Sequence, residues 1–166
     1  MAKTDEKGIG KKSDNQKKKK FFDESVAVEM NRYLDDTTIE EIIEANRKLF
    51  RFSVMFTRSQ LEQDIEVLDL NTRANNGLRR SGIHTLGNLI KIAGATPEET
   101  SRKRMQAFRN LGKESAEEIL IKLFYYQFHV IPDAKKKEYM QEVATVNKLR
   151  LSSEQWLSCI AGLAND

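Results

Sequence analysis

The residues with the clearest chemical potential lie in the stretch Asn110-Leu111-Gly112-Lys113-Glu114-Ser115, between two segments with helical periodicity. Gly112 has no Cβ, so it allows close approach of another backbone and a positive φ. Amides at a helix start have no partner within the helix and carry partial positive charge, which suits an anionic oxygen. Ser115 is predicted to cap the helix over residues 115–128, and Lys113 adds a positive charge. The stretch is therefore predicted to bind a phosphate group.

A second unit with the same plan lies upstream, at residues 72–92. It consists of predicted helices over 72–81 and 85–92, joined by a tight turn that contains Gly82. Arg79 and Arg80 either add phosphate contacts or only solvate the first of these helices. Two helix-hairpin-helix units in tandem predict contact with the DNA backbone, which carries little sequence information.

Residues 65–128, which include both units, contain four motifs. In order, these are Leu68-Asp69-Leu70, Arg73, Asn76-Gly77-Leu78 and the Asn-Leu-Gly-Lys-Glu-Ser turn at 110–115. This order of motifs resembles the C-terminal domain of the bacterial RNA polymerase α subunit. The resemblance implies that Arg73 and Asn76 enter the minor groove of A/T-rich DNA, where the negative potential suits an inserted arginine. It also implies that Gly112 and Ser115 contact phosphates.

From these observations we predict a set of DNA-binding residues, which are Arg73, Asn76, Gly77, Gly112, Lys113 and Ser115. Asp69 matches an acidic position that the family uses against sigma factors, so it is the predicted protein contact. Glu114 stands where many family members have a basic residue, and its charge is expected to weaken phosphate binding. Nothing in the chain resembles the α assembly domain, so we expect a free-standing relative of the module.

Two functions follow from this resemblance. The first is a DNA-binding, transcription-related protein that contacts the minor groove of A/T-rich double-stranded DNA and the phosphate backbone. The alternative is a protein-interaction module with little DNA affinity, which binds RNA polymerase, a sigma factor or a regulator. Replacing Arg73 or Asp69 separately would discriminate between them.

The distribution of charge agrees with a nucleic-acid partner for one part of the chain. The 166 residues carry a net charge of +3. Residues 1–20 hold eight lysines against three acidic residues, residues 21–64 hold five basic against ten acidic, and residues 65–128 hold ten basic against seven acidic. The lysines of the tail either add nonspecific phosphate affinity or only aid solubility. Outside the tail, the positive excess falls on the hairpin module.

The pattern of elements predicts an all-α fold. We expect a disordered Lys-rich tail over 1–20, N-terminal helices over 21–64, a compact helix-hairpin-helix module over 65–128 and a helical C-terminal appendage over 129–166. Predicted helices cover 23–33, 37–56, 96–108, 133–149 and a segment from 152 onward, whereas 63–69 is expected to be extended or irregular. The apolar stripe from Ile39 to Phe50 and the aromatic run at 124–128 are interpreted as core rather than as docking or base-stacking surfaces.

No arrangement of residues predicts catalysis. The only histidines are His84 and His129, and no grouping has metal-ligand spacing, so we expect no enzyme, metal or cofactor. Some DNA glycosylases place a catalytic Asp and Lys after such a hairpin, as Asp133 and Lys135 are placed here, but a helix cap is the simpler role for Asp133. Cys159 stands alone, which excludes an intramolecular disulfide. No apolar run is long enough to span a bilayer. A reducing cytosol is the simplest compartment for a chain with one cysteine, so we expect a cytoplasmic protein, nucleoid-associated if it binds DNA.

Overall fold

The computed structural model describes residues 23–46, 50–97 and 111–150, with side chains up to residue 148. These ranges contain seven α-helices and one 3-10 helix: α1 Glu24–Asn31, α2 Ile39–Ala45, α3 Arg58–Leu61, the 3-10 helix Ile65–Leu68, α4 Thr72–Arg80, α5 Leu86–Ala93, α6 Lys113–Val130 and α7 Asp133–Arg150. Their only β-type pairing is one isolated bridge between Asp64 and Thr85. The predicted all-α class is confirmed. The lysine tail, residues 98–108 of the helix expected at 96–108 and the helix expected beyond residue 152 lie outside the described residues.

The first hairpin forms where local sequence signals place it. Asn71 caps α4 by accepting a hydrogen bond from the Ala74 amide, at 2.9 Å. Thr85 and Asn88 form a reciprocal capping box at the start of α5. Gly82, in the turn between the two helices, has a φ of 80°, a conformation that side chains with a Cβ rarely adopt. The predicted helices at 72–81 and 85–92 are thus confirmed to within a residue at each end.

The core is centred on α6, the 18-residue helix that follows the second hairpin. Apolar side chains from both ends of the described chain pack with it in one cluster that runs from Ala27 to Val143. The Phe124 ring lies 5.1 Å from those of both Phe50 and Phe52. Burial of the aromatic run at Phe124, Tyr125 and Phe128 confirms its prediction as core. Tyr126, which stacks edge-on against Phe56, is only partly buried.

The helix predicted over 37–56 is wrong for much of its length. The sequence offers two overlapping capping boxes, Thr37 with Glu40 and Thr38 with Glu41, and the second of them starts α2. Ile39, Ile42 and Ile43 are buried. However, α2 ends at Ala45, and residues 50–56, which we call the strap, belong to no helix or strand. Phe50, Phe52 and Val54 are buried whereas the residues between them are not, a period of two that suits extended backbone.

Two smaller predictions also need correction. The sequence predicts that residues 63–69 are extended or irregular, but they include the 3-10 helix, whose N-cap is Asp64. Asp133, the predicted cap of α7, is instead its first helical residue, and its Oδ1 lies 3.0 Å from Lys136 Nζ. Lys136 Nζ also lies 3.4 Å from Glu29 Oε1 and 4.7 Å from the centre of the Phe128 ring. These contacts join α7 to α1 and α6.

Candidate nucleic-acid interface

The predicted groove-reading residues lie on the exposed side of α4. Arg73 and Asn76 are exposed and three residues apart, so they share one face of the helix, and Arg80 continues that face one turn later. Ala74, Gly77 and Leu78 are buried on the opposite side. Gly77, which belongs to the predicted set, therefore faces the interior. α4 therefore has a polar and basic stripe exposed to solvent, and its apolar side packs against the core.

The second hairpin ends in a helix start without a side-chain cap. Gly112 is the N-cap of α6, with φ −73° and ψ 171°, and makes no side-chain cap hydrogen bond. The positive φ anticipated for Gly112 is absent, and a Cβ added there would meet nothing within 4 Å among the described residues. Gly112 instead leaves the N-cap position without a polar side chain. The amides of the first turn consequently lack the competitor that Ser, Thr, Asn or Asp would supply.

Ser115 does not cap α6, so that prediction is wrong. The helix begins at Lys113, two residues earlier than expected, which puts Ser115 inside the first turn. Ser115 is buried, whereas Gly112, Lys113 and Glu114 are exposed. The members of the predicted set on α6 therefore divide into exposed residues at the helix start and one buried residue beneath them.

The start of α4 is joined to α6 by a hydrogen bond that the sequence did not reveal. The backbone amide of Asn71 donates to Glu118 Oε1 at 2.7 Å, and Glu118 is buried. The two helices also pack against each other. Because a helix rises 1.5 Å per residue, Glu118 lies roughly 9 Å along α6 from Gly112. The end of α4 that carries Arg73 is thus anchored close to the uncapped helix start. An acidic residue on the apolar side of a predicted helix was the available signal.

The first hairpin differs from the second in that its turn amides are already bonded. The amides of Gly82 and Ile83 donate to carbonyl oxygens of α4, both at 3.0 Å. Those of His84 and Thr85 both donate to Asn88 Oδ1, at 3.3 and 3.2 Å. No turn amide from Gly82 to Thr85 is left for an anion. The two hairpins have the same order of elements, but they differ in whether their backbone amides can donate hydrogen bonds to an anion.

Arg79 is engaged by an acidic neighbour. Its Nη2 donates to Asp64 Oδ1 at 2.6 Å, and its Nη1 lies 3.5 Å from His84 Nδ1. The guanidinium of Arg79, followed by the backbone amide of Glu66, lowers the pKa of the Asp64 carboxyl. Arg79 therefore helps to hold the segment before the 3-10 helix against the first hairpin, and Arg80 is the exposed cation of the pair.

The predicted protein contact lies at the end of the 3-10 helix. Asp69 is exposed and is the C-cap of that helix, with a φ of 53°. Glu66 and Val67 are exposed beside it, and Val67 retains 42% of its surface. Elsewhere, no group of three or more His, Cys, Asp or Glu residues within the described ranges could hold a metal ion. In the same ranges, no helix is long and apolar enough to cross a membrane.

Comparison with known proteins agrees with this geometry. Residues 56–124 match the family model described as the C-terminal domain of the bacterial RNA polymerase α chain. This segment is similar to that domain. The resemblance drawn from the motifs is confirmed, and the match begins at Phe56 rather than at residue 65. We refer to residues 56–124 as the α-CTD-like segment.

Curated relatives of the α-CTD-like segment bear the name DNA-directed RNA polymerase subunit alpha. The protein of Syntrophomonas wolfei subsp. wolfei is 46% identical over 63 residues, which are 38% of this chain and 17% of the relative. The protein of Carboxydothermus hydrogenoformans is 45% identical over 62 residues, which are 37% of this chain and 17% of the relative. The chain thus spans about a sixth of the length of these relatives. No solved structure matches the chain.

Proposed function

We propose that the chain is a DNA-binding, transcription-related protein that binds double-stranded DNA through its α-CTD-like segment. The observation that carries this proposal is the hydrogen bond from the Asn71 amide to Glu118, which anchors the start of α4 to the first half of α6, the helix whose start is uncapped. A duplex presents a groove and the phosphates that flank it side by side. A protein that binds both needs a groove-reading stripe and an anion site in a fixed relation.

In this proposal, Arg73 and Asn76 enter the minor groove, and A/T-rich sequence is preferred because its narrow groove has a more negative potential. Phosphate oxygens accept hydrogen bonds from the first-turn amides of α6, assisted by the charge of Lys113. Gly112 allows this by leaving those amides uncapped. Gly77 and Ser115, which are buried, support the two surfaces by packing.

The bonded amides of the first hairpin add a restriction to the proposed mode of binding. Because the turn from Gly82 to Thr85 uses its amides internally, anion binding by backbone falls to the second hairpin. Arg80 can reach a neighbouring phosphate as a simple charge. Arg79, paired with Asp64, is expected to contribute little.

Fluorescence anisotropy tests this proposal. The full chain is titrated against an A/T-rich and a G/C-rich duplex at about 0.15 M salt, where screening limits nonspecific attraction by the lysine tail. Arg73→Ala should weaken binding to the A/T-rich duplex by roughly 5- to 150-fold, the 1–3 kcal/mol of a good base contact, and remove the preference between duplexes. Arg32→Ala is the matched control, because Arg32 is an exposed arginine outside the α-CTD-like segment. Equal effects of the two substitutions would refute groove reading by Arg73.

A second candidate function is favoured by the surface of the 3-10 helix. There, exposed Glu66 and Asp69 flank the apolar side chain of Val67, a combination that suits a partner with basic and apolar groups. We propose RNA polymerase or a sigma factor as that partner. Asp69→Asn tests it, because Asn tolerates the positive φ at this position and removes only the charge. Loss of polymerase or sigma capture by Asp69→Asn, with DNA affinity intact, would support protein contact. Unchanged capture would exclude a role for the Asp69 charge.

A protein with either function acts where bacterial DNA and RNA polymerase are. We therefore propose the cytoplasm as its location, with association with the nucleoid if it binds DNA. Imaging of the chain fused to a fluorescent protein, with and without Arg73→Ala, distinguishes a nucleoid pattern from a diffuse one.

A further inference from the structure

The strap, residues 50–56, lies in a groove against α6 and α7. Phe50, Phe52 and Val54 are inserted into the core, and the Phe52 ring lies 5.1 Å from that of Phe124 on α6. The strap has no neighbouring strand among the described residues, so its backbone has no β-ladder to satisfy it. Its polar groups must find other partners, since buried backbone groups are costly when unpaired.

Those partners include side chains of the groove. Asn147 of α7 is fully buried and binds both backbone polar groups of Arg51: its Oδ1 accepts from the Arg51 amide at 3.0 Å and its Nδ2 donates to the Arg51 carbonyl at 2.9 Å. Two residues further on, the Tyr139 hydroxyl donates to the Ser53 carbonyl at 2.8 Å. Proteins bind extended peptides in the same way: their polar side chains form hydrogen bonds with the main chain of the peptide, and their pockets accept every second side chain.

At the other end of the strap, a second side-chain carboxamide, that of Gln127, forms only one of its two possible kinds of hydrogen bond with the strap backbone. Gln127 of α6 is fully buried, and its Oε1 accepts from the Met55 amide at 2.6 Å. Its Nε2 is also buried but has no hydrogen-bond partner among the described residues. Met55 itself is half exposed. The carboxamide of Asn147 is thus satisfied by the strap on both sides, whereas that of Gln127 keeps a donor without an acceptor.

We propose that the α6–α7 groove is a binding site for an extended peptide, which the strap fills in cis, and that a partner segment with aromatic residues at alternate positions can replace the strap. The aromatic pockets of Phe50 and Phe52 set the spacing of the side chains that the groove accepts. The unpaired Gln127 Nε2 offers a partner one hydrogen bond that the strap does not make, because a carbonyl turned toward it would complete the second carboxamide contact.

The site does not depend on the proposed DNA contacts. Asn147, Tyr139 and Gln127, like most of the strap, lie outside the α-CTD-like segment, whereas Phe124 lies at its last position. The polar groups that bind the strap backbone in the groove are thus separate from the residues proposed to contact DNA. Binding in the groove and binding to DNA can therefore be measured and lost separately.

Hydrogen exchange of the unaltered full chain gives the first test. Replacement of the strap requires that it opens without unfolding α6. The amides of Arg51 and Met55 are therefore expected to exchange at least about tenfold faster than that of Ile121, a buried residue of α6, with little dependence on low denaturant concentrations. Exchange of all three amides only through global unfolding would overturn the proposal, because an inseparable strap cannot be displaced.

Peptide binding gives the second test. The probe is a fluorescein-labelled peptide with the sequence of residues 50–56. A chain with Phe52→Ala holds its own strap less firmly and should bind the probe at least about tenfold more tightly than the unaltered chain. A chain with Val28→Ala, a substitution at an exposed residue of α1 outside the strap and the groove, serves as the control and should behave as the unaltered chain. Adding Asn147→Leu to Phe52→Ala should abolish binding.

Each outcome of these measurements bears on the proposal. Failure of the Phe52→Ala chain to bind the probe, while circular dichroism shows that its helices are retained, would overturn it. Binding that survives Asn147→Leu would also overturn it, because the probe would then lie elsewhere. Should Phe52→Ala unfold the chain, the exchange rates of the unaltered protein decide the question.

Discussion

Replacing Glu118 by alanine removes the acceptor that holds the start of α4 against α6. The Asn71 amide donates to Glu118 Oε1 at 2.7 Å, and the same residue caps α4 through its own side chain. Arg73 follows only two residues later, in the first turn of α4. Loss of the Glu118 carboxylate should therefore loosen the turn that carries the proposed groove-reading arginine, while leaving Arg73 itself in place.

The expected size of the effect follows from the contact. A hydrogen bond to a charged acceptor contributes about 1.5–3 kcal/mol. Because Asn71 is itself exposed, water can replace part of the loss, and we expect Glu118→Ala to lower the free energy of unfolding by about 2 kcal/mol. For a chain of this length that corresponds to a decrease in Tm of roughly 4–8 °C. Ordering the loosened turn on DNA should cost about 0.5–1.5 kcal/mol, or roughly a 2- to 12-fold loss of affinity.

Glu118→Gln separates the hydrogen bond from the charge. The Gln oxygen still accepts from the Asn71 amide, so stability should remain within about 1 kcal/mol of the unaltered chain. Removing a negative charge near the DNA should leave affinity unchanged or increased. Urea unfolding and anisotropy on the A/T-rich duplex measure the two effects, with Glu44→Ala on α2 as the control for loss of an exposed acidic residue. Equal losses of affinity for Glu118→Ala and Glu118→Gln would refute the positioning argument, because the charge would then be what matters.

Three further predictions concern other parts of the structure. Glu114→Lys puts a cation at the exposed start of α6, so DNA affinity should rise and the salt dependence should steepen by about one phosphate contact; an unchanged slope would count against phosphate binding there. Asn147→Ala removes two hydrogen bonds to the Arg51 backbone and should cost about 2–5 kcal/mol in urea unfolding, against less than about 0.5 kcal/mol for exposed Thr145→Ala; equal costs would show that these two hydrogen bonds do not stabilise the chain. Arg79→Ala should raise the pKa of Asp64 toward its ordinary value in an NMR titration, since the guanidinium is the main cause of its lowering.

The sign of that last effect follows from linkage. The lowered pKa of Asp64 means that its ionised form is favoured by folding. The resulting stabilisation is present above the ordinary pKa of an aspartate and is lost as the pH falls through the lowered value. In the Arg79→Ala chain this part of the acid sensitivity should be reduced. A titration curve for Asp64 that is the same in both chains would show that the ion pair does not persist in solution.

Much of the fold was predictable because its signals are local. The capping box at Thr38 and Glu41, the tight turn at Gly82 and the burial of the aromatic run in α6 depend on residues within a turn or two of each other. Such local patterns can be identified in an amino-acid sequence with few assumptions. The same holds for the family motifs, since the match of residues 56–124 confirms what their order indicated.

The strap could not be predicted in this way. Its residues have the apolar content of a helix face, and their alternation is too short to argue for a sheet. What makes it extended is a set of side chains far along the chain, of which Asn147 lies 96 residues from Arg51 and Gln127 lies 72 residues from Met55. Partners at that separation are invisible to a local pattern. Glu118 was missed for the same reason, because its contact with Asn71 spans 47 residues.

The two hairpins show why a motif alone does not identify a phosphate site. Both have a glycine before or at a helix start, and the sequence predicts that both face the DNA backbone. In the first, the Asn88 side chain reaches back and takes the amides of His84 and Thr85. In the second, Gly112 supplies no side chain that could do the same. Whether a helix start can bind an anion therefore depends on the capping side chains more than on the glycine. A single substitution that brings a cap to the second hairpin, Gly112→Asn, should weaken DNA binding without disturbing the fold, because a Cβ at this position meets nothing within 4 Å among the described residues.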